Sequence, residues 1–230
     1  RHRRHRAHRP HHHHPRLGDV PQRDAVLDAV DLTKISTSQL VGLNTTSIGE
    51  LTTTQVSGFS TSQVASLTTS QFGALSQAEV QAFTTTQANA LTTAQIRGLT
   101  TTSISELTDQ QVAALNSTEI SLLSTAQIGA LTSTDIQAFT TTQTSALTTR
   151  QLSGLTTTAI GLFSSDQIGA FSTTQLQSLT TTQLNALSVD ALNAVDITKT
   201  TTTQVAGLST TSISELTDDQ VGSFSAADVS

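Results

Sequence analysis

The side chains that could do chemistry are few, and most of them sit at one end. All seven His fall within residues 1–16, RHRRHRAHRPHHHHPR. His11, His12, His13 and His14 stand in a row and are the candidates for metal ligation, because neutral imidazole is a common metal ligand. The arginines of the same arm, Arg1, Arg3, Arg4, Arg6 and Arg9 among them, offer fixed positive charge to an anionic surface. The arm has no apolar periodicity, so its plain reading is an unstructured tail. An expression tag and a Thr/Ala-rich text translated one base out of frame are two further readings. Next comes Asp24, Asp28 and Asp31, which share one face if residues 24–35, DAVLDAVDLTKI, form a short helix. A solvated acidic face accounts for them more simply than a calcium site.

Beyond the arm there is no His, and the chain has no Cys, Met, Trp or Tyr. A Ser-His-Asp or Cys-His constellation therefore cannot be built there, nor a thiolate metal site or a disulfide. No phosphate-binding glycine loop and no paired metalloprotease histidines occur. Acidic residues stand mostly at capping or surface positions, without the paired burial that acid–base catalysis needs. The reading is of a protein that is not an enzyme and needs no cofactor. Asn44-Thr45-Thr46 and Asn116-Ser117-Thr118 match the glycosylation pattern, but both Asn fall where a helix cap is expected.

Charge is segregated along the chain. Residues 1–23 carry seven Arg against Asp19, net +6; residues 24–35 carry three Asp against Lys34, net −2; residues 36–230 carry thirteen acids against Arg97, Arg150 and Lys199, net −10. The acidic array argues against nucleic acid as a partner. No apolar run reaches the ~18 residues of a membrane span. The chain shows no signal peptide and starts at Arg1, as a processed product, a fragment or a displaced start would.

The elements that must position these residues come from one unit. Leu or Phe recurs every eight residues from Leu43 to Leu187, and a second apolar residue follows five places later, as in Ile48, Val56 and Val64. A continuous helix would turn about 800° per unit, so its apolar stripe would wind around the rod. A straight strand would split the two series between faces. One short helix per octad fits more positions. In LTTAQIRGLTTTSISEL, residues 91–107, Thr92 is an N-cap and Gln95 completes a capping box. Leu91 and Ile96 then make a hydrophobic staple. The expectation is an all-α solenoid of helices of about one and a half turns, one per eight-residue repeat. A β-solenoid with one corner per octad stays open as the alternative. Small residues such as Gly58, Ala74, Gly98 and Gly154 are expected where neighbouring units approach.

Three segments follow: a basic arm over 1–23, a short helical joint over 24–35 and the octapeptide array over 36–230. The joint recurs, since residues 27–65 match 192–230 at 22 of 39 positions. At both VD(L/I)TK joints the apolar spacing is thirteen residues rather than sixteen. A 56-residue superperiod, seven octads long, relates 81–99 to 137–155.

The octad L/F-S/T-x-x-Q/E/D-V/I/L-x-A/G resembles octapeptide arrays of large bacterial secreted and surface proteins. That resemblance, covering residues 36–230, implies a stalk, fibre or matrix role and an extracellular or cell-surface location. No functional residue is carried over from it. The expected function is structural, a subunit of an extracellular filament assembled head to tail with copies of itself. Arg1, Arg3, Arg4, Arg6 and Arg9 would dock on acidic residues of a neighbour, and Phe224 and Val229 would leave an open seam end. The competing expectation is a binding module or adhesin stalk, in which Thr rows such as Thr84–Thr86 and Thr140–Thr142 face ice, a glycan or another surface ligand.

Overall fold

A computed structural model describes residues 31–224. Within them the chain forms 23 α-helices of four to six residues, from Thr37–Val41 to Asp218–Gly222, and two 3-10 turns, Leu32–Lys34 and Ile197–Lys199. There are no strands among the described residues, so the β-solenoid alternative is not what forms. Ser, Thr, Asn or Asp occupies each cap with extended backbone, as Thr92 does at φ −77° and ψ 159°. Its hydroxyl accepts from the Gln95 N–H at 3.3 Å, and Gln95 Oε1 accepts from the Thr92 N–H at 2.7 Å. Such a helix cannot persist alone, because its few hydrogen bonds do not repay nucleation.

No described residue has positive φ, so none of these helices ends on a left-handed glycine cap. In one group of helices the chain turns extended at the next apolar residue, as at Leu99 with φ −60° and ψ 134°. The following Thr100 caps the next helix. A link this short lets an eight-residue period hold a helix and its corner.

Helices pack on the third helix further along, as Thr69–Phe72 on Thr93–Gly98 and Thr93–Gly98 on Ser117–Leu122, and across the second joint Thr181–Leu184 packs on Thr202–Ala206. The turns of a solenoid are thereby stacked. Both apolar series enter one continuous core, with Ile104, Val112 and Ile120 fully buried and Leu107, Leu115 and Leu123 nearly so. Even the weak members are inside: Thr144 is buried, and its hydroxyl donates to the Thr140 carbonyl at 2.9 Å. The small positions are small for room. A Cβ on Gly98 would collide with the Thr69 side chain, and one on Gly49 would sit 2.9 Å from the Ala74 carbonyl oxygen.

Of the short helix expected over 24–35, only 31–35 fall among the described residues. At 31–35 Asp31 caps a single 3-10 turn, accepting from the Thr33 N–H at 3.2 Å and pairing with Lys34 at 2.7 Å. Asp196 does the same with Thr198 and Lys199. A short Asp side chain bonding two residues ahead favours this tight turn over an α-turn. The joint is thus a five-residue unit standing in for an octad, which accounts for the spacing of thirteen. Asp24 and Asp28 lie outside the described residues.

Candidate functional site: a glutamine ladder and two open faces

The box glutamine does more than cap. Its Oε1 serves its own helix, and its Nε2 reaches the preceding turn. Gln95 Nε2 donates to the Val64 and Leu67 carbonyls at 2.7 and 2.8 Å. Gln127 donates to Ile96 and Leu99, and Gln151 to Ile120 and Leu123, each between 2.7 and 2.9 Å. The partners stand 31 and 28 residues earlier. Across the second joint the steps shorten to 28 and 25, where Gln204 meets Leu176 and Leu179. These amides are buried, Gln95 and Gln111 to 2% exposure.

Capping alone did not reveal this second bond, although a signal was present. A capping box accepts Glu as readily as Gln, yet Glu fills it only at 79 and 119, against twelve Gln between positions 55 and 183. An amide can accept from its own cap and donate to the turn before, which an ionised carboxylate cannot. Asparagines add a lesser clasp: Asn185 donates to the Gly207 carbonyl at 3.0 Å and accepts from the Ser209 N–H at 2.9 Å.

Three box positions hold buried acids, namely Glu79, Glu119 and Asp135. Burial raises the pKa of Glu119 above the ordinary carboxylate value, against the lowering effect of the bond from the Asn116 N–H. Burial raises that of Asp135 as well, more than its bonds from Thr132 lower it.

The array leaves two kinds of surface. Along its sides lie the Thr rows. All three threonines of Thr84–Thr86 are exposed, but the first is a cap, accepting from the Gln87 N–H at 3.2 Å, and the other two begin the helix. The Thr rows thus sit on helix starts rather than on strands. At the far end, Ile213 is 46% and Val221 47% exposed, whereas their counterparts Ile104 and Val112 are fully buried. Leu216 and Phe224 are half-buried against the core edge. The last glutamine, Gln220, donates to Leu192 and Val195, and among the described residues no glutamine serves carbonyls beyond those. At the near end Gln39 and Val41 are exposed.

Of the residues singled out in the sequence, Phe224 is placed at that far edge. His11, His12, His13, His14, Arg1, Arg3, Arg4, Arg6, Arg9 and Val229 lie outside the described residues. Both glycosylation-pattern asparagines are exposed caps, Asn44 accepting from the Ser47 N–H at 2.8 Å and Asn116 from the Thr118 N–H at 2.9 Å. Among the described residues no three His, Cys, Asp or Glu side chains gather in one place. No described helix is long and apolar enough to cross a membrane.

Residues 64–101 match the ALTTAQ repeat family, over a stretch that contains Ala90-Leu91-Thr92-Thr93-Ala94-Gln95 itself. No curated protein matches the chain.

Proposed function

We propose that a repeat array of this construction is structural: a segment of an extracellular or cell-surface fibre that lengthens by stacking further turns, head to tail with another copy. One observation supports this above others. The far face carries apolar residues and backbone carbonyls in the arrangement that, one turn earlier, receives a box glutamine and its staple. The surface complementary to it is the near turn of a second copy, where Gln39 and Val41 are exposed. A contact of this kind does not close on itself and gives a filament rather than a ring. The basic arm, net +6, would add electrostatic attraction to the acidic array of a neighbour.

The test is sedimentation velocity over a range of concentrations, paired with electron microscopy at physiological salt. Fibres or concentration-dependent growth are expected. A double variant, Ile213→Lys with Val221→Lys, should stay monomeric while keeping its helical circular dichroism. An unmodified protein that sediments as a monomer at high concentration would overturn the proposal.

A further inference from the structure

Two departures from the repeat meet at one place. Position 135 is a box position, and it holds Asp where the neighbouring octads hold Gln. Twenty-six residues before each ladder glutamine from Gln63 to Gln183 stands Ser or Thr, at the start of the helix one turn earlier. Twenty-six residues before Asp135 stands Asp109. The helices that carry them, Asp109–Ala114 and Ser133–Ala138, pack against each other, and Asp109 adds to the rise in the Asp135 pKa, both side chains being acceptors when ionised.

Asp135 is fully buried. Its Oδ2 is used as a cap, accepting from the Thr132 N–H at 2.8 Å and the Thr132 hydroxyl at 2.7 Å. Its Oδ1 is buried with no hydrogen-bond partner. In the ladder that second atom would be a donor aimed at carbonyls 28 and 31 residues earlier, here Leu107 and Ile104. Asp is one methylene shorter than Gln and donates nothing when ionised, so the ladder bond is missing here. Asp109 is exposed and borders an open groove of about 740 Å³ with Thr108, Gln111 and Thr132. The groove leads to Asp109, and Asp135 lies behind it, out of solvent.

We infer that Asp109 and Asp135, with the backbone carbonyls of Leu107 and Ile104, form a site for a hard divalent cation of the calcium class. Such ions take six to eight oxygen ligands, carboxylate, carbonyl and water together. A cation here replaces the missing glutamine bond by tying two successive turns through their oxygens. A shared proton is the rival. The box acids at 79 and 119 help to separate the two, because the residues 26 places before them are Thr53 and Thr93. Those acids stand without a second carboxylate, whereas 135 alone offers two carboxylates to one cation, and the calcium titration decides between cation and shared proton there.

The experiment uses the whole chain, freed of metal with a chelator, and titrates it with calcium chloride by calorimetry and thermal unfolding at pH 7. One-site binding with a Kd of about 10⁻⁴–10⁻³ M, the range of extracellular calcium modules, and a rise in Tm are expected. Asp109→Thr restores the repeat residue and should weaken binding at least ten-fold. Asp135→Gln restores the ladder amide; it should fold, and its Tm should no longer respond to calcium. Three results would each overturn the site: no calcium response in the unmodified chain, calcium binding that survives Asp135→Gln, or stabilisation of the chelated protein by acid alone with no response to calcium at pH 7.

Discussion

Gln and Glu cap a helix alike, but here they are not interchangeable, because only the amide serves two turns. Gln151→Glu keeps the capping box with Thr148 and removes the donor to Ile120 and Leu123. The Ile120 carbonyl keeps its bond from the Leu123 N–H, but leaving the buried Leu123 carbonyl unpaired costs roughly 1–3 kcal/mol, so a clear drop in Tm at neutral pH is expected. An unchanged Tm would mean the ladder carries no net stability. The reverse change is also informative. Glu119→Gln would supply an amide toward Leu91 and Ala88, worth about 0.5–1.5 kcal/mol. The pH dependence should flatten with it. Because burial lifts the folded pKa of Glu119 above its unfolded value, the folded chain holds the proton more tightly. The stabilisation from that proton is therefore complete below the ordinary glutamate range and fades as pH rises through the raised folded value. Melting curves from pH 4 to 8 on both proteins would show whether the slope belongs to Glu119.

An octad is too short to be a helix by propensity, so its stability lies in caps and stacking. Thr92→Ala removes one cap and should cost about 0.5–2 kcal/mol. Leu115→Ala empties a 2%-exposed core position and should cost about 2–5 kcal/mol. A paired change tests the close approach between turns. Gly98→Ala sets a methyl against Thr69 and should lower Tm, and adding Thr69→Ser, which deletes the colliding methyl, should recover most of the loss. Failure of that rescue would place the cost in the helix itself. The octad helix was legible from the sequence because cap, box and staple are local devices whose residues lie within six positions. The stacking was not. Nothing within one octad says that Gln95 must find Val64 and Leu67, because that distance is set by how many units close a turn. The joint was half legible: its spacing of thirteen marked a break, while the 3-10 turn depends on Asp31 bonding to Thr33, a competition that apolar periodicity does not register.

Across the described residues, contacts run between adjacent turns, and the last described turn leaves Ile213 and Val221 exposed. If copies join end to end, two forces of different range take part. Exposed charges are screened over about 8 Å at physiological salt, whereas apolar burial is not. Raising salt should therefore weaken arm-dependent association and leave growth through Ile213 and Val221 largely intact, as sedimentation of the full chain and of one lacking residues 1–16 would show. Equal salt responses in the two would remove the arm from the reading. The five-residue joint has a consequence for inheritance. Where it replaces an octad, the ladder step shrinks from 28 to 25 and the bonds from Gln204 still form. Each turn is fastened only to its neighbour, so a replication slip that drops or adds a unit shifts every later corner together and leaves the partners in step. Such an array can vary in copy number between generations while each intermediate length remains a folded protein.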